Sequence, residues 1–387
     1  MCLTHTVALA VAVGYTVGMT ANQVLEISRT SHGETRVVDE ELGELAEGSV
    51  RLKVDRFSIT ANTVTYANAG DMLGYWDFYP SGTEGWGRTP AMGWGEVAES
   101  NHPDVEVGGR YYGWYPMAQF VDMKVSVTST GLRDDGDHRA AHAPVYRTLE
   151  APATDPLFPS NLAADAVGDV EDRHALVRGL FMTGYLSAAF FQSHDWYGTP
   201  TAVVLSASSK TAIGFADAAQ RLGAARVVGV TSPGNVDFVS SIDAYDSVIT
   251  YDQAQAGDHD ITSGVIVDMA GNRPVLAALH EKLGDSIGYS MMIGMTHHDV
   301  PQVEVSSGPS PTLFFAPTAM SEMSQAGTDT AALQSDAASS LAEFVEASHE
   351  WLEVDRVAGA GAAAESWVSV HDGTLSPSIG RIVSMHS

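Results

Sequence analysis

The sequence predicts an α/β protein in which a β-rich first part precedes a doubly wound, parallel, six-stranded sheet. Two observations support the sheet. Short apolar runs recur along the second half of the chain, at 201–208, 226–232, 247–252, 264–271, 286–295 and 312–317. Helix-like stretches, including 212–222 and 273–283, separate several of these runs. Apolar strands that alternate with helices are typical of parallel sheets buried on both faces.

A β-rich domain is predicted for residues 20–160. The segments 49–59 and 124–130 have strand character, and many turns separate such segments. Aromatic residues are concentrated between positions 75 and 115, and they indicate either a packed core or an aromatic-lined pocket for a flat or apolar substrate. The proline-rich stretch 150–161 is interpreted as the connection to the parallel sheet, which is assigned to residues 161–320.

The two ends of the chain need separate interpretations. Residues 1–19 are apolar. A signal peptide would have a Lys or Arg before its apolar run, and this segment has neither. We interpret them as a start codon placed too early, with Met19 as the true start, or as a disordered extension; a signal peptide is the alternative. Residues 321–387 contain a long helical stretch and a strand-like tail. These cannot form a core alone and are expected to return to the β-rich domain.

The composition is globular and strongly acidic. The formal net charge is −28, and the chain has only four lysines. Such a surface repels nucleic acids and acidic membranes, so neither is an expected partner. Beyond residue 19 no segment approaches a membrane span, and we expect a cytoplasmic protein. Cys2 is the single cysteine, which excludes internal disulfides and thiolate zinc sites, and no metal is expected.

The segment SASSKTA (206–212) lies between the first apolar run of the sheet and a helical stretch. A phosphate loop of the nucleoside-triphosphatase kind ends in Gly-Lys-Ser/Thr, and Lys210 and Thr211 match its last two positions. The glycines of that loop would fall on Val204 and Ser209. Because valine resists the backbone conformations that glycine permits, we reject this interpretation.

A dinucleotide-binding turn fits the same segment better. Ser206, Ser209 and Ala212 occupy its three small positions. The N-terminus of the following helix would bind a pyrophosphate through its free amides and the helix dipole. The serine hydroxyls, that of Ser208 included, could donate to phosphate oxygens, and the Lys210 ammonium would add positive charge. A strand–turn–helix without a ligand is the alternative.

The end of the second strand of the sheet favours NADP(H) over NAD(H). An acidic residue at this position would bind the ribose 2′-hydroxyl of NAD. This chain instead has Thr231, Ser232 and Asn235 there, and no carboxylate. Hydroxyl and amide groups can accommodate a 2′-phosphate, so NADP(H) is the predicted cofactor.

From residue 20 to residue 387 the sequence resembles the medium-chain dehydrogenase/reductase superfamily, on its zinc-independent, quinone-oxidoreductase-like side. Residues 49–70 are similar to an early strand and the pocket segment of that family, with Asn62 at its asparagine and Thr65 in place of its aspartate. Trp94 stands where zinc-dependent relatives have a histidine. The resemblance implies a GroES-like β-rich domain, a Rossmann doubly wound sheet that binds NADP(H), a C-terminal segment that returns to the first domain, and a homodimer.

The resemblance also assigns further cofactor contacts by position. SASSKTA falls on the family's A-x-x-G-x-x-G turn, with serine and alanine in place of two glycines. The other matching positions are Thr211 in the turn, Asn235 and Tyr251 around the adenosine 2′-phosphate, Met269 and Gly271 near the nicotinamide ribose, and Gly294 at the start of a similar turn one strand later.

Several reaction types are excluded by the residues present. A zinc alcohol dehydrogenase needs a cysteine–histidine set that Cys2 alone cannot supply. A short-chain reductase needs a tyrosine four residues before a lysine, and no lysine of this chain has one. The serines lack the G-x-S-x-G pattern of α/β-hydrolases.

Hydride transfer without a metal is the chemistry that remains, in which the cofactor supplies the hydride and the protein orients the substrate. We predict an NADPH-dependent reductase of an activated double bond, a quinone or a carbonyl, with a bulky apolar substrate. The alternative is a catalytically inactive NADP(H)-binding sensor or docking protein on the same fold.

By the resemblance, the substrate would lie in an interdomain cleft beside Asn62, Thr65 and Tyr66. Tyr66 and Tyr115 are candidate proton donors, because a phenol can protonate a developing enolate. Asn62 or Thr65 could hydrogen-bond a carbonyl oxygen. For each tyrosine, packing in a core is the alternative. The triplet His-His-Asp at 297–299 follows the fifth strand and is a candidate for local capping or for a substrate contact.

Overall fold

The computed structural model of the chain describes residues 21–199, 201–294 and 303–387. Residues 1–19 and the triplet 297–299, both interpreted above, lie outside the described residues. The strands, in chain order, are β1 (Asn22–Ser28), β2 (Thr35–Glu40), β3 (Ser49–Ile59), β4 (Trp86–Gly87), β5 (Pro90–Ser100), β6 (Arg110–Pro116), β7 (Phe120–Val127), β8 (Gly131–Asp134), β9 (Thr148–Glu150), β10 (Thr201–Leu205), β11 (Arg226–Thr231), β12 (Ser247–Thr250), β13 (Gly264–Asp268), β14 (Ile287–Met292), β15 (Thr312–Leu313), β16 (Glu353–Ala358) and β17 (Ile379–Ser384). The α-helices are α1 (Ala61–Asn68), α2 (Gly70–Leu73), α3 (Val167–Ser193), α4 (Lys210–Arg221), α5 (Val236–Ser240), α6 (Tyr251–Ala256), α7 (Arg273–Leu283), α8 (Ala316–Gln325), α9 (Thr330–Ala347) and α10 (Ala360–His371).

The β-rich part of the chain forms a closed sheet. Its strand order is β16-β17-β3-β5-β6-β9-β8-β7, and an additional pairing of β7 with β3 closes the ring. Strand β3 coincides with the predicted segment 49–59, and β7 overlaps the segment 124–130. A smaller sheet has the order β2-β1-β4. Trp76, Phe78 and Tyr115 are buried in the core of this part. Some of the aromatic residues between positions 75 and 115 therefore pack in the core.

The second sheet is parallel and has the order β12-β11-β10-β13-β14-β15. Each of its strands lies within one of the six predicted apolar runs. The last run, 312–317, contributes only the two-residue strand β15, because the chain enters α8 at Ala316. The predicted fold class, a GroES-like β-rich domain with a Rossmann doubly wound parallel six-stranded sheet, is confirmed.

Helix α3 was not predicted from the sequence, although it has 27 residues. Buried residues occur on most of its circumference, so it lacks the apolar stripe that marks a surface helix. It packs on α4 and α9 and also on β5 and β3, and it thereby lies between the two large sheets. None of the helices within the described ranges is both long and apolar enough to cross a membrane.

A network of ion pairs ties the first turns of α3 to the closed sheet. The Glu171 carboxylate accepts hydrogen bonds from Arg56 at 2.5 Å and from Arg110 at 2.7 Å. The fully buried Asp172 carboxylate pairs with Arg56 at 2.5 Å and with Arg356. Because each carboxylate has two guanidinium partners, the network fixes the start of α3 against β3, β6 and β16.

Candidate functional site

The predicted ligand turn connects β10 to α4, at the carboxyl edge of the parallel sheet. Ser209 is the N-cap of α4, and its hydroxyl oxygen accepts a hydrogen bond from the backbone N–H of Ala212 at 3.2 Å. Ser206 has φ of +58°, a left-handed conformation that favours glycine and costs another residue about 1–3 kcal/mol. At this position the backbone has a conformation that is usual for glycine, but the residue is a serine and brings a hydroxyl group to the turn.

Residues from neighbouring strand ends hold this turn. The Tyr251 hydroxyl donates to Ser206 Oγ at 3.2 Å, and the Asn235 side-chain amide donates to Ser208 Oγ at 3.1 Å. Tyr251 directly follows β12, and Asn235 follows β11. The structure therefore brings together four predicted cofactor residues that come from three different strand ends.

Lys210, the first residue of α4, has partners that the sequence did not indicate. Its ammonium donates to the backbone carbonyl oxygens of Pro377 and Ile379, at 3.3 and 3.2 Å. Burial lowers the pKa of the ammonium from 10.5 to about 8. Lys210 therefore joins the N-terminus of α4 to the start of β17 and the residues just before it, and it carries its charge at the mouth of the ligand turn.

A cavity of about 660 Å³, which we call the first cavity, lies in front of the turn. Part of its lining comes from the start of α1, from Ala270 after β13, and from residues 370–377, which comprise the end of α10 and the segment that follows it. The sequence analysis did not single out Ala270 or residues 370–377. Residues 370–377 contain no local motif, and they reach the cavity only because the C-terminal part of the chain returns to it. Eight predicted cofactor residues line this cavity, namely Ser206, Ser208, Ser209, Lys210, Thr211, Ser232, Asn235 and Tyr251.

The other five predicted cofactor residues are not among the residues that line the first cavity. Ala212 and Thr231 are fully buried, and no hydrogen-bond partner is found for the Thr231 hydroxyl among the described residues. Met269 is buried, and Gly271 has φ of +82°, which favours glycine. A Cβ atom at Gly294 would lie 2.2 Å from the carbonyl oxygen of Met269, so a glycine is required there.

A second cavity, of about 450 Å³, adjoins the first. Asn62, near the start of α1, lines both cavities. Most of the second cavity is apolar and aromatic, which matches the aromatic-lined pocket considered for the sequence. Its aromatic and apolar walls include Tyr66, Tyr75, Tyr112, Trp114, Tyr146, Met182, Phe314, Phe315 and Met320.

Helix α1 places three of the predicted catalytic residues at the second cavity. Tyr66 Oη accepts a hydrogen bond from the indole N–H of Trp114 at 3.1 Å and is also hydrogen-bonded with Asn62, four residues earlier on the same helix. Burial raises the pKa of Tyr66 well above its usual value. Thr65 also lines the cavity, and its hydroxyl donates to the carbonyl oxygen of Ala61 at 3.3 Å.

Tyr115, the other predicted proton donor, is not brought to either cavity. It is fully buried in the core of the closed sheet, and its hydroxyl donates to the carbonyl oxygen of Tyr111 at 2.9 Å. Successive side chains of a strand point to opposite faces. Because Tyr112 and Trp114 of β6 face the second cavity, Tyr115 faces away from it.

The second cavity also contains polar groups that the sequence analysis did not single out. Arg178 of α3 and Glu150 of β9 both line it. The Arg178 guanidinium makes two hydrogen bonds to Asp155, one of them at 3.2 Å, and lies 4.3 Å from the centre of the Tyr112 ring. Burial raises the pKa of the Glu150 carboxyl. These residues could not be identified from a local sequence pattern, because they lie on separate elements that meet only in the folded protein. One of these elements is helix α3, which was not predicted.

The position that holds a histidine in zinc-dependent relatives has a structural role here. The Trp94 indole N–H donates to the carbonyl oxygen of Glu171 at 2.8 Å, and the ring is fully buried. Trp94 therefore joins β5 to the start of α3. In the described ranges, no group of three or more His, Cys, Asp or Glu side chains could hold a metal ion.

The sequence was also compared with known proteins. A family model described as "Protein of unknown function (DUF2855)" matches residues 57–376. None of the curated proteins is similar to this chain in sequence.

Solved structures share the fold along nearly the whole chain. CurA from Vibrio vulnificus in complex with NADPH superposes with a TM-score of 0.56 at 13% identity, covering 94% of this chain and 99% of that chain. The yhdH oxidoreductase from Salmonella enterica in complex with NADP superposes with a TM-score of 0.50 at 13% identity, and the CurK enoyl reductase superposes with a TM-score of 0.53 at 12% identity. Each match covers 94% of this chain and 99% of the other chain. At these identities the likeness concerns the fold.

Proposed function

The chain belongs to the DUF2855 family, proteins of unknown function, and we propose that it is an NADPH-dependent oxidoreductase of the medium-chain dehydrogenase/reductase type. Its reaction would be the reduction of an activated double bond, a quinone or a carbonyl in a bulky apolar substrate, without zinc. The observation that carries this proposal is that the first cavity, with its predicted cofactor residues, joins the aromatic second cavity at Asn62.

The first cavity fits a dinucleotide in both position and chemistry. It lies at the carboxyl edge of a parallel sheet and at the N-terminus of α4, where free amides and the helix dipole favour a pyrophosphate. Ser206, Ser208 and Ser209 present hydroxyl groups there, and Lys210 adds a positive charge. Strand β11 ends in residues without a carboxylate, which supports NADP(H) over NAD(H). The similar folds of CurA and the yhdH oxidoreductase, crystallised with NADPH and NADP, support the same cofactor.

The residues around Asn62 would orient the substrate and supply a proton. NADPH supplies the hydride when it is bound. Asn62 would hydrogen-bond the carbonyl oxygen of the substrate through its side-chain amide, and Thr65 would do so only after its hydroxyl released the carbonyl oxygen of Ala61. Tyr66 would donate the proton, because its phenol lines the second cavity beside Asn62 and a phenol can protonate a developing enolate. The Trp114 indole can only donate, so the hydroxyl proton of Tyr66 stays available for another acceptor.

A second candidate function is a catalytically inactive NADP(H)-binding sensor or docking protein. One observation favours it: the Lys210 ammonium is already engaged by the carbonyl oxygens of Pro377 and Ile379. In this alternative the first cavity would bind cofactor, but the second cavity would not turn over a substrate. We also propose, from the family resemblance, a cytoplasmic homodimer that pairs through an edge of the parallel sheet; sedimentation of the purified protein tests the dimer.

Calorimetry with NADPH and NADH tests the cofactor assignment. We expect NADPH to bind at least about tenfold more tightly than NADH, a difference of about 1.4 kcal/mol. Ser232→Asp should reverse this preference, because a carboxylate at the end of β11 repels the 2′-phosphate. Ser241→Asp, which adds the same charge at the end of α5 outside the first cavity, is the matched control and should leave the preference unchanged.

Absence of NADPH binding by the wild-type protein would contradict both candidate functions. Turnover separates them. NADPH oxidation with any member of a panel of enones, quinones and ketones supports the reductase, whereas binding of NADPH without oxidation across the whole panel supports the sensor.

A further inference from the structure

Two polar residues on neighbouring strands contribute to the wall of the second cavity. Tyr112 of β6 and Glu150 of β9 are directly opposite in the antiparallel register. Side chains of directly opposite residues point to the same face of a sheet, and both of these residues line the cavity. The two therefore form a polar patch within walls that are otherwise mostly apolar.

Both side chains have an oxygen atom for which the described residues provide no hydrogen bond. The atoms are Tyr112 Oη and Glu150 Oε2, and both are buried. Tyr112 is only 2% exposed. The large majority of buried side-chain polar atoms in folded proteins have a partner, so a pair of unpartnered atoms beside a cavity calls for a specific explanation. A ligand in the cavity can provide the missing partner.

The cavity is continuous from the proposed reaction centre to this polar patch. Trp114 interacts both with Tyr66 and with Tyr112. Its indole N–H bonds to Tyr66, which is hydrogen-bonded with Asn62, and its ring lies 6.3 Å from that of Tyr112. A substrate that places its reactive carbon near Asn62 would extend past Trp114 toward Glu150.

The charges at the patch limit what the ligand can be. Arg178 lines the same cavity, but its guanidinium is already hydrogen-bonded to Asp155 and packed over the Tyr112 ring. A ligand carboxylate would meet Glu150 without a free cation to compensate it. A ligand ammonium could pair with Glu150, but it has donors only and would leave the Tyr112 phenol proton without an acceptor. A hydroxyl group can donate to the Glu150 carboxylate and accept from the Tyr112 phenol at the same time.

We infer that Glu150 and Tyr112 recognise a hydroxyl group, so that the substrate is an apolar aromatic compound with a hydroxyl at the end remote from the reacting bond. This inference rests on the proposed function for the position of the reacting bond. The aromatic walls favour a ring that carries the hydroxyl, since flat rings stack against Tyr and Trp side chains.

Binding of two ketones that differ only in one hydroxyl tests the inference without turnover. The probes are 4-phenylbutan-2-one and 4-(4-hydroxyphenyl)butan-2-one, titrated by calorimetry into the NADP⁺-saturated protein and into the protein alone. We expect the hydroxyl compound to bind at least about tenfold more tightly, because a site that hydrogen-bonds a hydroxyl disfavours the analogue without it.

Two variants locate the effect. Tyr112→Phe and Glu150→Gln should each weaken binding of the hydroxyl compound about tenfold and leave binding of the phenyl compound within about twofold. Tyr146→Phe is the matched control, because it removes a hydroxyl of the same cavity that already lies 3.2 Å from the Tyr75 hydroxyl. It should leave the ratio of the two affinities unchanged. Thermal unfolding of each variant verifies that it is folded.

Equal affinity of the wild-type protein for the two ketones overturns the inference, and so does failure of the hydroxyl compound to bind. A loss of the preference in Tyr146→Phe but in neither of the other variants also overturns it. The NADPH titration reports on the proposed function separately. Normal NADPH binding with no hydroxyl preference contradicts only the inference, whereas absence of NADPH binding contradicts the proposed function.

Discussion

Lys210 is expected to link cofactor affinity to pH. Its ammonium is partly buried between α4 and the start of β17, and burial lowers its pKa from 10.5 to about 8. We therefore predict that replacing it with methionine, which keeps an unbranched stem without the charge, changes both stability and NADPH binding. Lys282→Met is the matched control, because Lys282 is an exposed lysine that also donates to backbone carbonyls, those of Gly257 and His259.

The sign and size of the stability effect follow from the pKa. Because the pKa of Lys210 is lower in the folded protein than in the unfolded chain, the unfolded state binds more protons between about pH 8 and pH 10.5. The free energy of unfolding of the wild type therefore rises with pH in this window, and the cost of burying the ammonium is fully present below it. Measured by urea denaturation, the stability of the wild type relative to Lys210→Met should rise by about 2 kcal/mol from pH 7 to pH 9.5.

NADPH binding should respond in the opposite direction. At pH 7 the ammonium can make a charge-assisted hydrogen bond to a diphosphate oxygen, which contributes about 1.5–3 kcal/mol. Calorimetry should therefore show affinity about 10- to 100-fold lower for Lys210→Met at pH 7, and a smaller difference at pH 9.5, where the wild-type amine is mostly neutral. Lys282→Met should match the wild type at both pH values. Unchanged NADPH affinity in Lys210→Met at pH 7, or the same ratio at both pH values, would refute the role assigned to this residue.

Three further predictions concern other parts of the structure. Arg56→Met leaves the buried Asp172 carboxylate with one fewer partner and should cost about 3–5 kcal/mol of unfolding free energy in urea; a loss no larger than that of Arg29→Met, which breaks an exposed pair, would contradict this. Ser206→Gly should be more stable than Ser206→Ala by about 1 kcal/mol, because only glycine adopts the left-handed backbone without strain; equal denaturation midpoints would show that the turn is not strained. Tyr66→Phe should lower kcat for a reducible substrate by about 100-fold or more with an unchanged Kd for NADPH, and an unchanged kcat would remove Tyr66 as the proton donor.

The structural elements that were predicted best are those whose formation depends on residues close together in the sequence. The strands of the parallel sheet are buried on both faces, so they appear in the sequence as continuous apolar runs, and all six runs contain a strand. The capped start of α4 was also predictable, because the serine that precedes it is an N-cap residue. The long helix α3 was missed, since a helix buried on most of its faces shows no amphipathic period.

The candidate site was predicted in part, for a similar reason. The turn at 206–212 and the ends of β11 and β12 were identified because each is a short local segment that follows a strand. Their convergence follows from the parallel sheet, whose carboxyl ends meet at one edge. The side of the first cavity formed by residues 370–377 could not be predicted, since it depends on how the chain returns after α10.

The sequence by itself determined the elements of this protein and the chemical groups that each brings: the apolar strands, the serine-rich turn with Lys210, and the aromatic β6. Only the tertiary structure decided which groups share a site. It directed Tyr112 toward a cavity and Tyr115 into a core, placed Lys210 on the carbonyl oxygens of Pro377 and Ile379, and set Glu150 opposite Tyr112. The physical reason is that local propensity acts over a few residues, whereas burial, desolvation and partner choice depend on segments far apart in the chain.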